Sequence, residues 1–580
     1  MTEAKDPTTD SSASGDNEAG ILGSELEETE QGAMKNTTND EIMTKKEEQP
    51  PPAPQDPPAI TYPDPIRGSF LTIALLLAMF LVALDMSIIT TAIPTITVQF
   101  HSVDQIGWYG SAFFLCLATF QAFWGKVYKY FPIKIAFLIT IGIFELGSLI
   151  AALSPNSTAL IIGRAIQGLG GAGVTGGTYT ILAFITRPEY LHAVFGLTSS
   201  VWSLSSVLGP VLSGIFTQYA TWRWCFWVNL PIGGAAALIL LLLLKMPPHS
   251  RIAHAKLKEI PFLFDIPGMA IIMGALVCLL LVLEHGGIDK AWNSGFSIGL
   301  LVAFSILMIA FVAVEWKQGE GAMVIPRIIK RRSILALALF NLTAQGGGFA
   351  RIYLLPIFFQ AAQGVSPLDS GLRTLPTVLT TSIFSFAGSI LLGKIGYYKL
   401  FLMAGAVFIT VGSGMIYTLR PNATMGQYVG YQILTAVGSG LVIQVNVIVA
   451  QAISTRADVA VTVGIVLFFQ FVGGTIGVST STNILNNVML NSLPNGNPNI
   501  SPAAVLKAGS TGLRKAFPNA DDLKSVVNAY MHGLEGGFIW CIVLCFLAFV
   551  VSLGAEWKST RPKDIKKRAE AKKAAATATP

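Results

Sequence analysis

Charge is scarce in this chain. Of its 580 residues only 12% are Asp, Glu, Lys or Arg, while 52% are hydrophobic and the mean hydropathy is +0.59. Soluble domains carry roughly a quarter charged residues. The chain holds more apolar surface than a water-soluble protein can hide, and it reads as a polytopic membrane protein. Cysteine is also sparse. Cys116, Cys225, Cys278, Cys541 and Cys545 all lie in apolar runs, which argues against a disulfide framework or a metal cluster. The histidines, His101, His192, His249, His254, His285 and His532, show no metal-ligand spacing, and there is no Ser/His/Asp set or pair of carboxylates suited to catalysis. No metal site and no enzyme activity are expected. The N-terminus lacks the apolar core of a signal peptide, so the first membrane span is expected to direct insertion.

The net charge of +6 conceals two opposite parts. Residues 1–66 carry 15 acidic residues and four lysines, net −11, and the rest of the chain carries +17. That tail is rich in Ser, Thr, Glu and Pro, so it is expected to stay disordered. Beyond it, runs of about 20 apolar residues mark membrane spans. They predict fourteen, near 69–97, 105–125, 133–153, 158–182, 192–216, 223–244, 264–284, 295–316, 333–358, 369–392, 398–419, 426–453, 459–485 and 531–554. Short loops rich in Lys and Arg alternate with loops that have few. Lys126, Lys129, Lys134, Arg187, Lys245, Arg251, Arg327, Arg331, Lys394, Lys399, Arg456 and a basic cluster over 563–568 fall on one side, whereas the opposite short loops hold chiefly Lys290 and Arg420. The positive-inside rule then puts both termini in the cytoplasm. A long loop, 486–530, is expected outside. Its Asn499 and the same-side Asn422 lie in Asn-x-Ser/Thr sequons and are candidate glycosylation sites.

An internal repeat is visible as a nearly constant offset along the chain. Gly125-Lys126 matches Gly393-Lys394; Gly163, Gly171 and Gly173 match Gly430, Gly438 and Gly440; and Gly196 and Gly209 match Gly464 and Gly477. The expected fold is all-α, with 14 transmembrane helices. Two six-helix halves, 67–245 and 331–555, flank a linker with two inserted helices, 246–330, and the chain closes with a basic cytoplasmic tail, 556–580. Parallel six-helix halves suit a transporter that binds its solute near the membrane midplane and rocks to alternate access.

Four charged residues lie at membrane depth: Asp85 in the first span, Glu145 in the third, Arg164 in the fourth and Arg351 in the ninth. Such charges cost several kcal/mol and normally face a bundle interior and pair. Glu145 and Arg164 each lie roughly two helical turns inside the outer end of their span. On consecutive antiparallel helices they therefore share a level. An ion pair or shared water site between Glu145 and Arg164 is expected, with Asp85 close by. The cluster either fixes helix register or holds a carboxylate that binds a coupling proton. Arg351 either pairs with Asp85 across the halves or binds an acidic substrate. Gln167, Trp202, Asn229, Gln345, Gln360, Gln444, Asn446 and Gln470 are candidates for the lining of a substrate cavity, with helix-to-helix hydrogen bonding as the other reading of the amides. Gly209-Pro210 with Gly214 bends the fifth span, either as a conformational hinge or as a packing kink.

Two phosphate-like patterns are decoys. Gly168 to Gly173 spells GxGxxG inside a span with no strand before it, and the Gly-Lys pairs are followed by Val127 and Ile395 where a phosphate loop needs Ser or Thr. The chain is expected to carry no ATPase of its own, so its energy comes from an ion gradient, from the substrate gradient or from an unseen partner, and no cofactor is expected.

Several stretches together resemble one family. Leu84-Asp85-Met86-Ser87-Ile88-Ile89, the run Leu160 to Gly168 around Arg164, Gly209-Pro210 with Gly214, the stretch Trp222 to Gly234 (WRWCFWVNLPIGG), and Leu355 to Gln360 with Leu375-Pro376 are similar to motifs of the major facilitator superfamily, and within it of the fourteen-span drug:proton antiporters of fungi. The resemblance covers about 67–555. It implies a role for Arg164 in proton coupling. It also implies proton-coupled efflux of a small amphipathic organic molecule, such as a secondary metabolite, toxin or drug, across the plasma membrane, with the vacuolar membrane as an alternative. An importer of a nutrient or metal chelate, or a transporter-like sensor, are the other readings. Expected partners are the solute and the lipid bilayer, with no nucleic acid and a monomeric state. The chain departs from the superfamily pattern at Lys129, where an aspartate belongs, and at Ser205 and Ser213, where glycines do.

Overall fold

A computed structural model describes residues 62–100, 105–246, 264–455, 457–493 and 500–561, together with 564 and 570. These residues are helical, with only two isolated bridges, Gly286 to Lys290 and Tyr397 to Ser559. The first bundle comprises α1 (Pro65–Phe100), α2 (Ile106–Tyr130), α3 (Ile133–Leu153), α4 (Ser157–Ile185), α5 (Pro188–Tyr219), α6 (Trp224–Trp227) and α7 (Asn229–Leu243). Then come α8 (Ile266–His285), α9 (Gly295–Gln318) and the short α10 (Pro326–Ile329). The second bundle comprises α11 (Arg332–Ala361), α12 (Pro367–Ile395), α13 (Tyr398–Tyr417), α14 (Met425–Ile443), α15 (Val445–Ile453), α16 (Val459–Asn491), α17 (Pro502–Ala516) and α18 (Ala520–Leu553).

Twelve helices among the described residues are long and apolar enough to cross a membrane, against the fourteen spans expected. The other two positions are filled by α2 and α4, which have 25 and 29 residues and so ample length. Their composition is what differs. Helix α4 carries seven glycines and is buried along most of its length, so it is surrounded by protein and selected for small size over apolar bulk. The long loop expected over 486–530 is mostly helix: α16 continues to Asn491, α17 follows, and α18 already begins at Ala520. Helix α17 escapes a hydropathy reading because it is amphipathic and short, and only Val505 and Leu513 are buried.

Close backbone contact sets the framework of the first bundle. A Cβ at Gly163 would lie 2.8 Å from Ala151 N and one at Gly147 would lie 2.5 Å from Gln167 N, so α3 and α4 touch along a glycine seam. Between bundles, α5 packs on α12, where a Cβ at Gly196 would meet Phe386 Cα at 2.8 Å. Its repeat mate Gly464 packs α16 on α2, facing Gln121 O at 2.9 Å. These two repeated glycines therefore sit at matching inter-bundle contacts. Helix α8 packs against α9, α2 and α16, while α9 is outermost and leaves Ile306, Ile309 and Val312 exposed.

Candidate functional site

Five helices of the first bundle converge on one polar cluster. Asp85 of α1 and Arg164 of α4 are fully buried and form an ion pair. The Arg164 guanidinium also donates to Tyr109 O of α2 at 2.9 Å and to Gln167 Oε1 at 3.0 Å, and its plane lies 4.5 Å from the Phe113 ring centre. The Gln167 amide donates to Asp85 Oδ1 and to Ser148 Oγ of α3, both at 2.9 Å. Asn229, the first residue of α7, donates to the same two acceptors at 3.3 and 3.2 Å. A buried charge pair is tolerable only when its remaining lone pairs are satisfied, and this network does that for both Asp85 oxygens.

This arrangement corrects two expectations. Arg164 pairs with Asp85 and not with Glu145, whose two carboxyl oxygens are buried without a hydrogen-bond partner among the described residues. The cause is rotation about α3. Phe144, Gly147 and Ala151 form the side of α3 that meets α4. Glu145 is about 100° round from Phe144, so it points at α7, where a Cβ at Gly233 would collide with its carboxylate. Nor does Arg351 meet Asp85. It is 3% exposed and donates to Ser413 Oγ of α13 at 3.2 Å and Ser439 Oγ of α14 at 3.3 Å, with no carboxylate among its partners in the described residues.

Most amides expected to line a cavity are committed elsewhere. Gln167 and Asn229 hold Asp85. Gln444 joins the bundles by donating to Thr198 Oγ1 at 2.9 Å and Ser199 Oγ at 2.5 Å. Asn446 donates to Asn341 inside the second bundle. Gln360 is tied to Ser370 at 3.3 Å and Ser510 at 3.0 Å, which places it under α17. Trp202 stacks near Phe471 at 6.2 Å, between the bundles. Gln345 and Gln470 are half-buried without side-chain hydrogen bonds to the described residues. At Gly209-Pro210, α5 runs on unbroken, and Gly209 is pressed onto Ser87, whose hydroxyl donates to Ser205 O at 2.9 Å. Gly214 has open space beside it. Asn422 occupies an exposed turn before α14, while Asn499 lies outside the described residues.

A second charged cluster was missed from the sequence. Lys129, at the end of α2, bonds Asp458 at 3.1 Å, and Arg327 of α10 bonds both Asp458 oxygens at 3.1 and 3.2 Å as well as Glu320 at 2.6 Å. Burial raises the Asp458 carboxyl, but the donors Arg327, Lys129 and Thr455 outweigh it and hold the group at about 2, below its ordinary 3.8. Asp458 joins the end of the first bundle to the start of α16, so the unexpected lysine at 129 is matched by an aspartate on the other side. The only sequence signal for this was an acid directly before a span.

Comparison with known proteins places this architecture. The family model for the Major Facilitator Superfamily matches residues 75–478. The chain belongs to the Major Facilitator Superfamily. It is 40% identical to an MFS-type transporter of Pestalotiopsis microspora over 87% of this chain and 93% of that one. It is 39% identical to an MFS-type efflux pump of Trichophyton rubrum over 86% and 93%, and 37% identical to the dehydrocurvularin exporter of Alternaria cinerariae over 84% and 84%. In fold it is similar to a bacterial homologue of the human lysosomal transporter Spinster, with a TM-score of 0.52 and 15% identity over 85% of this chain and 98% of that one. The protein is thus a multi-pass membrane transporter of this superfamily.

Proposed function

We propose that the protein exports a small amphipathic organic molecule across the plasma membrane in exchange for protons. The observation that carries this reading is the buried cluster of Asp85, Glu145 and Arg164, which holds two carboxyls against one guanidinium. Charge at that depth is retained for function more often than for stability. The names of the relatives, an efflux pump and an exporter, support the outward direction. In this reading α2 and α4 also span the membrane, for fourteen spans in all. The two bundles rock about the contacts of α5 with α12 and of α16 with α2, and the end bearing Lys129, Arg327 and Asp458 is cytoplasmic, as are both termini. The contacts of Gly196 with Phe386, Gln444 with Thr198 and Lys129 with Asp458 support a reading in which the protein is closed toward the cytoplasm and a proton arrives from outside. No cofactor takes part beyond the proton gradient. Arg351, a buried cation with neutral partners only, serves to receive an acidic group of the solute.

The test is retention of a metabolite panel that includes dehydrocurvularin, in cells with and without the protein. Export coupled to protons lowers retention, and a protonophore restores it. Higher retention on expression would instead indicate import.

A further inference from the structure

Among the described residues, three buried acceptor oxygens on two neighbouring helices of the first bundle have no donor: both carboxyl oxygens of Glu145 on α3 and Oδ1 of Asn229 on α7. The register of the two antiparallel helices brings them near each other. Glu145 faces Gly233, and one turn further along, Ser148 receives the Asn229 amide at 3.2 Å. The orphan carbonyl of Asn229 is therefore about one turn from the orphan carboxyl. Nearby donors are spent. Gln167 Nε2 and Asn229 Nδ2 serve Asp85 and Ser148, and Arg164 serves Asp85, Gln167 and Tyr109. The ionisable groups around Glu145 are Asp85 from α1, Arg164 from α4 behind it, and the Cys225 thiol of α6, which donates to Ser213 at 3.6 Å. On α2, Cys116 lies against α4, and Lys126 and Lys129 sit at its far end. Helix α7 contributes no charged side chain.

We infer that Glu145 is the group that binds and releases the coupling proton, with Gly233 and Asn229 as its positioning residues, while Asp85 is the fixed partner of Arg164. This rests on the proton-coupled reading above and sharpens it. A buried polar atom without a partner is costly, and this site lacks donors rather than acceptors. A proton on the carboxylate turns one acceptor into an O–H donor and leaves no charge on the group. When the proton leaves, the O–H bond breaks and the carboxylate is restored. Gly233 supplies the space, since any side chain there occupies the volume of the carboxyl. Gly234, the next residue, has nothing within 4 Å of a Cβ and serves as its control. The motif Asn229-Leu230-Pro231-Ile232-Gly233 thus gains a physical meaning: its first residue steadies Asp85 and its last seats Glu145.

The experiment is infrared spectroscopy of the full-length purified protein in lipid, following the protonated-carboxyl C=O band as pH is varied. The native protein is expected to show a titrating band that is absent in Glu145→Gln and retained in Asp85→Asn. If Asp85→Asn does not fold, the double variant Asp85→Asn/Arg164→Gln takes its place. Gly233→Ala should shift the band, and Gly234→Ala should leave it in place. A band that survives Glu145→Gln, or that is lost with Asp85 instead, overturns the inference, as does the absence of any titrating band, which would point to a structural water among these oxygens. The proton-coupled reading fails separately, if the band behaves as expected while export ignores a protonophore.

Discussion

Asp85 and Arg164 neutralise each other in a place that water does not reach, and this makes them interdependent. Removing one partner of a buried pair costs about 3–5 kcal/mol because the other charge is stranded. Asp85→Asn should therefore lower the melting temperature of the solubilised protein strongly, and Asp85→Asn/Arg164→Gln should melt above Asp85→Asn. A double variant no more stable than the single one would mean that Arg164 is compensated by other groups. Arg351→Gln, by contrast, removes a cation with neutral partners. It should reduce export of acidic solutes while leaving neutral ones unaffected, as read from retention of a carboxylic acid and its amide. At this scale the sequence revealed depth but not direction. Counting residues from span ends put Glu145, Arg164 and Asp85 at one level, yet the rotation of α3, set by its glycine seam with α4, decides which carboxyl the guanidinium meets. Gln167 and Asn229 looked like cavity linings for the same reason, since an amide's partner depends on helix rotation.

Among elements, α10 and the turn before α16 matter most, because they carry the charged contact that joins the two bundles at one end. Asp458 holds two cations, so Asp458→Asn should loosen that end more than Lys129→Gln does, which leaves Arg327 in place. Faster labelling of a cysteine placed at Ala460, which faces Gly125 of α2, would report it. The pH dependence has a definite sign. A carboxyl held at about 2, against an ordinary 3.8, adds stability that is complete above the ordinary value and lost as pH falls through 2. Between about pH 5 and 8 the contact is constant. Asp458→Asn should leave the shape of the transport pH profile unchanged there, whereas Glu145→Gln should flatten it. Helix α5 offers a further test: Pro210→Ala should impair export more than solute binding if Gly209-Pro210 serves the conformational change, and equal loss of both would make it a packing element. Element positions were largely legible from apolar runs. The exception has a physical cause: α17 is an amphipathic helix in what reads as a loop.

At the scale of the whole molecule, glycines repeated at one offset became a pair of matching contacts, Gly196 on α12 and Gly464 on α2. That was legible because close packing demands glycine at fixed places, and duplication keeps the spacing. The charge cluster that joins the bundles was not, since its members lie far apart in sequence and meet only when the bundles do. The two bundles also differ in the charge they bury at membrane depth: the first holds Asp85, Glu145 and Arg164, and the second holds Arg351 with serine hydroxyls. A proton in the first and an acidic solute in the second would each offset what its bundle lacks. The most direct measurement is efflux from preloaded cells expressing the native protein or Glu145→Gln, with and without a protonophore. Coupled export requires fast efflux from the native protein alone, abolished by the protonophore. Efflux that is indifferent to the protonophore, or equally fast without Glu145, would contradict it.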